Sequence, residues 1–212
     1  MPDAPVTTRF WWIRHAPVIN PGGAIYGALD VAADTSDRAA FEALAAALPE
    51  RAAWVTSTLT RTHRTADAIQ DAAGRRVAPA READLAEQHM GAWQGRPRDE
   101  VYAALGRRHP FWLAPAATRP PEGESFVDLI GRVRPAIERL AETHGGGDVI
   151  AVAHGGTIRA AVAIALDLDP EAALRLTVDT LSLTRLDRLV IEDGTVAWRV
   201  GAINLPPRRP SL

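Results

Sequence analysis

The sequence predicts an α/β protein, a three-layer α/β/α sandwich around a mostly parallel central sheet. Three observations carry that expectation. Apolar, β-branched or aromatic runs alternate with alanine-rich helical stretches, as strands joined by helical crossovers do. Two of those runs, "RFWWI" and "DVIAVA", are almost unbroken, the pattern of strands covered on both faces. And 212 residues, 47% of them hydrophobic, can bury a full core as one domain.

Each element has its own signal. "RFWWI" is the first strand, and adjacent strand residues point to opposite faces, so Trp11 and Trp12 are expected in the core on either side of the sheet. A helix over Asp37 to Leu48 opens behind Ser36 as N-cap. "AAWVTS" is the second strand, followed by a helix through "TRTHRTADAIQDAA" that stops at Gly74. "RVAPA" reads as a short third strand before a loop carrying "LAEQHMGAWQG". The stretch 107–124, "RRHPFWLAPAATRPPEGE", holds four prolines and reads as an irregular, lid-like excursion over the sheet. Ser125 and Asp128 form a capping box for the helix "SFVDLIGRVRPAIERLAETH", which Pro135 is expected to kink or interrupt. "DVIAVA" is the clearest buried strand and leads into the helix "GTIRAAVAIALDL". Two alternating runs, "SLTRLDRLVI" and "TVAWRVGAI", flank "EDG" as a hairpin, and the tail at 205–212 is expected to fray. The whole of 1–212 is read as a single domain.

Composition narrows the function. Twenty-four basic against twenty-six acidic residues leave a net charge of -2, so no overall field favours nucleic acid or an anionic membrane. The absence of cysteine removes disulfides, thiolate metal sites and thiol nucleophiles, and fits a reducing, cytoplasmic setting. "AAVAIAL", the longest apolar run, is too short to span a bilayer, and the N-terminus lacks the pattern of a secretory signal.

The chemistry concentrates where strands end. "FWWIRHAP" and "DVIAVAHGGTIR" repeat one arrangement: a buried strand, then a histidine at its carboxyl end, His15 or His154. In open α/β sheets ligands bind at those ends, and the glycine-flanked start of a helix at Gly155 offers N–H groups and positive dipole to an anion. The second strand ends at Ser57, with Arg61 in the first turn of the helix beyond. Arg14, His15, Arg61 and His154 would surround one anion, and arginine's planar fork suits phosphate oxygens. Taken singly, a histidine at a strand end is more often satisfied by backbone or water than catalytic. The paired placement carries the reading.

With those motifs in view the chain resembles the histidine phosphatase superfamily, the phosphoglycerate mutase-like fold, over nearly its whole length. The family's Arg-His-Gly is matched by Arg14-His15-Ala16, with alanine for glycine. Its Ser-x-Leu-x-Arg-Ala-x-x-Thr-Ala is matched from Ser57 through Arg61 to Ala66. The acidic motif is present as Leu85, Glu87, Gly91, Trp93 and Gly95, and His-Gly-Gly as His154-Gly155-Gly156, with Arg159 where many members carry arginine. The resemblance implies that His15 is the phosphate-accepting nucleophile and Glu87 the proton donor, a role that burial of the carboxyl would favour. Arg14, Arg61 and Gly155 would bind phosphate, and His154, expected protonated, would offset its charge. Asn20 is assigned as a further phosphate ligand, although it lies six residues beyond Arg14 where the family's asparagine lies seven beyond.

The implied activity is hydrolysis of a small-molecule phosphate ester through a phosphohistidine, with no metal and no cofactor. "IYGALD" hints at an α-ribazole phosphate-like substrate. The alternatives are a phosphoglycerate-type mutase and a non-catalytic phosphate or phosphoprotein binder. No nucleic-acid or membrane partner is expected, and the oligomeric state is left open. His63, His89, His109 and His144 are read as surface or structural. Phe111 and Trp112 either anchor the excursion or line a pocket for the rest of the substrate.

Overall fold

Why two histidines from distant stretches meet follows from the strand pairing. The computed structural model describes residues 5–20 and 22–207. Six strands, β1 (Val6–Arg14), β2 (Ala53–Thr56), β3 (Ala80–Arg81), β4 (Asp148–Ala153), β5 (Leu183–Val190) and β6 (Val196–Leu205), form one sheet in the order β3-β2-β4-β1-β5-β6. The first four are mutually parallel. β5 runs antiparallel to β1 and forms the expected hairpin with β6.

Alternation along β1 splits the core in two. Phe10 and Trp12 enter one buried cluster with residues of α4 (Phe126–Thr143) and α5 (Gly155–Leu166). Ile13 and the half-buried Trp11 face the opposite cluster, formed with α1 (Arg38–Ala47) and α2 (Thr60–Ala72). Helices therefore cover both faces, and the three-layer architecture expected of the sequence is observed.

Local departures have local causes. The N-cap of α1 is Asp37, whose carboxylate accepts from the Ala40 N–H at 3.1 Å; Ser36 lies one residue outside. β3 falls at Ala80–Arg81, at the end of "RVAPA", because Pro79 has no N–H to donate and the Val77 N–H is taken by Gln70 Oε1. α4 opens with the capping box of Ser125 and Asp128 and runs through Pro135 without interruption. Pro135 and Gly131, whose carbonyl loses its helical donor, both lie on the exposed face of the helix, where that carbonyl is open to solvent. Two helices were not anticipated: α3 (Arg98–Leu105) and the single turn α6 (Pro170–Ala173). Leu205, expected in the frayed tail, is the last residue of β6, and 208–212 lie outside the described residues.

The stretch 107–124 forms no helix or strand. It is fastened at several points: His109 Nε2 lies 2.5 Å from Glu171 Oε1 on α6, and the Ala116 N–H donates to the second oxygen of that carboxylate at 2.8 Å. Those bonds hold the Glu171 carboxyl below its usual range, the Ala116 N–H most of all. Leu113, Ala114 and Ala116 are buried beneath.

Candidate active site

The parallel register of β1 and β4 places Arg14 beside Ala153, so the next residues, His15 and His154, leave the sheet side by side. Their ring centroids are 5.2 Å apart. β2 flanks β4 on the other side with Thr56 beside Val152, which delivers Ser57 to His154. Three strand ends thus build one cluster, as the sequence indicated.

His15 is 1% exposed. Its Nδ1 lies 2.7 Å from the Ala16 carbonyl. A carbonyl only accepts, so Nδ1 carries the proton and Nε2 presents its lone pair. Burial lowers the His15 pKa to about 3, with Arg61 and Arg14 acting in the same direction and the Ala16 carbonyl opposing. Ala16, where the family motif has glycine, turns its methyl into the cluster shared with Ile13 and Ala66, and its N–H donates to Thr65 Oγ1 at 2.9 Å.

His154 is held neutral too, against the expectation of an imidazolium. The Arg61 Nε–H, which can only donate, points at His154 Nδ1 at 3.2 Å. The proton must therefore sit on Nε2, which donates to Ser57 Oγ at 2.8 Å. Complete burial pushes the His154 pKa well below its usual value, and the Arg61 charge adds to that. His154 therefore acts here as an acceptor that orients Arg61.

Arg61 is fully buried, which lowers its pKa against the favourable field of Glu87. Its Nη1 and Nη2 donate to the carbonyls of Leu29 and Gly27, each at 2.7 Å. The segment "IYGALD" is thereby drawn over the start of α2, where Asp30 accepts from both the N–H and the hydroxyl of Thr60. Gly27 adopts φ +43°, and a Cβ there would lie 2.8 Å from Gln94 Oε1, so glycine is required. Arg14 donates from Nη1 to the Val178 carbonyl at 2.6 Å, while its buried Nε has no partner among the described residues.

Glu87 is 7% exposed and reaches the N-terminus of α5, where the Gly156 N–H donates to Oε1 at 3.1 Å; the Gln88 N–H donates to the same oxygen at 3.0 Å. A Cβ on Gly156 would meet Glu87 Oε1, so a side chain there would push the carboxylate aside. The loop bearing Glu87 is clamped by Arg132 of α4. That side chain donates to the carbonyls of Asp84, Ala86 and Glu87 and pairs with Glu124 at 2.7 Å. The sequence reading missed Arg132, since nothing local marks one helical arginine as a loop clamp.

A cavity of about 310 Å³ opens beside this cluster, lined at one end by Arg14, Glu87, Gly155 and Arg159. His15, Arg61 and His154 do not line it, and each sits one residue or one hydrogen bond behind a residue that does. A Cβ on Gly155 would lie 3.1 Å from Arg159 Nη1 and 3.5 Å from Arg14 Nε, so the guanidinium groups occupy the space a side chain would need. Arg159 donates to the Leu176 carbonyl, stacks 4.8 Å over Trp112, and has its pKa lowered by burial to about 10. Trp112 is at once anchor and wall: its Nε1 donates to Gln88 Oε1 and it lines the cavity with the exposed Phe111. His109, read as surface or structural, ties down the excursion and lines the cavity as well. Asn20 does not line the cavity; its amide donates to the Ala24 carbonyl at 2.8 Å within its own loop.

A family model described as the histidine phosphatase superfamily, branch 1, matches residues 10–200. The chain belongs to that superfamily. It is 36% identical over 172 residues to a glucosyl-3-phosphoglycerate phosphatase of Mycolicibacterium vanbaalenii, a match covering 76% of this chain and 75% of that protein. The native structure of a mycobacterial glucosyl-3-phosphoglycerate phosphatase aligns with a TM-score of 0.80 at 27% identity, over 94% of this chain and 99% of that one. With a bifunctional protein of Mycobacterium tuberculosis it shares 35% identity over 101 residues, which spans 48% of this chain but only 28% of that relative. A proposed α-ribazole-5′-phosphate phosphatase of Escherichia coli K-12, at 21% identity, a TM-score of 0.76 and coverage of 93% and 96%, shares the fold. The matched relatives thus include proteins named as phosphatases and a probable phosphoglycerate mutase, 33% identical over 134 residues. No helix among the described residues is long and apolar enough to cross a membrane.

Proposed function

We propose that this histidine phosphatase is a metal-independent phosphomonoester hydrolase that acts on a small phosphorylated metabolite through a phosphohistidine at His15. One observation supports this above the others. His15 Nε2 and the neighbouring Arg14 Nε are both buried and both without a hydrogen-bond partner among the described residues. A lone pair beside an unanswered guanidinium N–H is the arrangement a phosphoryl group needs: phosphorus for the nucleophile, oxygen for the cation.

The chemistry follows from those groups. Neutral His15 attacks phosphorus with Nε2 while the Ala16 carbonyl holds Nδ1–H, so no proton has to leave the nucleophile first. Arg14, Arg61 and Arg159 offset charge on the phosphoryl oxygens, the work a metal performs in other phosphoryl transferases. As the P–O bond breaks, Glu87 gives a proton to the leaving alcohol oxygen. The resulting carboxylate then takes a proton from the water that attacks the phosphohistidine, which returns His15 and Glu87 to their starting forms and releases inorganic phosphate.

The relatives named as glucosyl-3-phosphoglycerate phosphatases favour an ester of a phosphorylated glycerate over α-ribazole phosphate, which has fold-level support alone. The test is covalent. Wild-type protein quenched during turnover of a labelled ester, without acid, should carry label on His15. A His15→Ala protein that is still labelled, or that keeps wild-type turnover, would overturn the assignment.

A further inference from the structure

The excursion 107–124 is joined to the body of the protein by a histidine whose two ring nitrogens face opposite demands. The His109 side chain is only 10% exposed. Its Nδ1 faces the backbone N–H of Trp112 at 3.0 Å and that of Phe111 at 3.4 Å, and both groups can only donate. Nδ1 is therefore an acceptor, and the proton sits on Nε2, which donates to Glu171 Oε1. Both nitrogens are committed within the protein. His109 borders the cavity but has no free donor or acceptor to offer an ester.

What these bonds fix is Trp112. Its main chain is held by His109 and its indole N–H by Gln88 Oε1 at 2.8 Å. That amide cannot turn over, because Gln88 Nε2 donates to the Glu124 carbonyl. The indole face so placed lies 4.8 Å from the guanidinium carbon of Arg159. Arg159 donates to carbonyls, Leu176 at 2.8 Å and Gly155 at 3.1 Å, and no carboxylate pairs with it among the described residues. The ring face supplies part of the negative potential that an ion pair would otherwise give. One short segment holds both partners. Glu171 of α6 binds the histidine that sets Trp112, and Leu176, whose N–H donates to the Ala173 carbonyl of α6 at 3.1 Å, binds Arg159.

We propose that His109 is a positioning residue for the phosphate end of the cavity: it sets the Trp112 indole against Arg159 and so holds that guanidinium where a phosphate oxygen arrives. The proposal rests on the phosphatase reading above and extends it to a residue that acts only through its neighbours. Of its two bonds, the one to the Trp112 N–H decides. The bond to Glu171 is backed by the Ala116 N–H, which holds the second oxygen of that carboxylate at 2.8 Å and keeps the excursion docked without the imidazole.

Three substitutions separate the bonds. His109→Asn keeps an acceptor near the Nδ1 position but cannot reach Glu171, His109→Gln reaches Glu171 but lacks that acceptor, and His109→Ala has neither. Inorganic phosphate is the probe, titrated by calorimetry. Its Kd should rise about fivefold in His109→Ala and His109→Gln, the size of a partly desolvated cation–π contact, and stay within about twofold of wild type in His109→Asn. The indole N–H resonance of Trp112, assigned by its loss in Trp112→Phe, should move in the first two variants and hold in the third. That readout reports ring placement whether or not the protein turns over an ester. Arg119→Gln, which removes a surface pair with Asp128 elsewhere on the excursion, should change neither measurement. An unmoved indole or unchanged phosphate affinity in His109→Ala, an equal loss in Arg119→Gln, or His109→Asn no better than His109→Ala overturns the positioning role and leaves the phosphatase reading intact. Wild-type protein that neither binds phosphate nor carries label on His15 overturns the phosphatase reading and this proposal with it.

Discussion

Acidifying the free protein from pH 7 to pH 5 should destabilise it, and His15→Asn should abolish a defined part of that loss. Burial and the two arginines hold His15 neutral in the folded state, with a pKa of about 3 against the ordinary 6.5 of a free imidazole. Below 6.5 the unfolded chain therefore takes up a proton that the folded chain refuses. The stabilisation from this residue is fully present above 6.5 and is lost progressively as pH falls towards the folded value. At 1.36 kcal/mol per pH unit the whole interval is worth roughly 5 kcal/mol, and the part between 6.5 and 5 about 2 kcal/mol. Asparagine keeps an N–H for the Ala16 carbonyl but does not titrate. Urea unfolding at pH 7 and pH 5, in buffers free of phosphate, should show the wild type losing about 2 kcal/mol more than the variant. His154 acts in the same direction and remains in both proteins, so the difference isolates His15. Inorganic phosphate should shrink the wild-type loss, because a bound anion favours the imidazolium. Identical pH responses of wild type and His15→Asn would refute the buried, neutral nucleophile.

Glu87→Gln should slow phosphorylation of His15 by an alkyl phosphate by roughly 10²- to 10⁴-fold, and by nitrophenyl phosphate much less, because nitrophenolate leaves without a proton. Single-turnover measurements on both esters check this, and equal losses would leave Glu87 without the role of acid. Gly156→Ala should reproduce that leaving-group contrast at near-normal stability, since its Cβ would displace the Glu87 carboxylate. Stripping divalent metals with chelator should leave turnover unchanged, and vanadate should inhibit. Activity that collapses in chelator and returns with magnesium or zinc would remove the arginine-based mechanism. Arg132→Gln should cost about 2–3 kcal/mol of stability by leaving the shielded Glu124 carboxylate unpaired, and should lower kcat rather than raise KM. Unfolding curves and steady-state kinetics on one preparation separate the two effects.

What the sequence made legible was set by how local the cause is. "DVIAVA" coincides with β4, and Ser125 with Asp128 closes the capping box, because a strand covered on both faces and a helix N-terminus each announce themselves within a few residues. The meeting of His15, Arg61 and His154 was legible because each follows a strand of one parallel sheet, and parallel strands present their carboxyl ends together. α3 was passed over although "PRDEVYAALG" carries ordinary boundary signals: Asp99 and Glu100 in the first turn, and Gly106 at φ 67° closing the end. Its single buried residue, Val101, gives no apolar stripe to read. Arg132 and the tautomer of His154 are beyond local reading altogether, because each depends on which distant group happens to face it. Asn20 shows the limit of carrying a motif over: the resemblance assigned it to phosphate despite a spacing one residue short of the family's, and its amide donates to a carbonyl four residues away within its own loop.

The two tautomers explain why the site tolerates so much positive charge with so little acid. Arg61 donates to a neutral His154 and to two carbonyls, so its charge is answered by dipoles and its position does not depend on a substrate being present. Arg14 is answered only in part, by Val178, and its Nε is left over. Burial first, and then the cost of putting a further cation against these guanidinium groups, keeps both imidazoles neutral. Burial thus keeps the Nε2 lone pair of His15 free, and the arginines that reinforce this effect also make the site attractive to a dianion. Weakening the arginines should therefore impair phosphate binding first, while burial still holds His15 neutral.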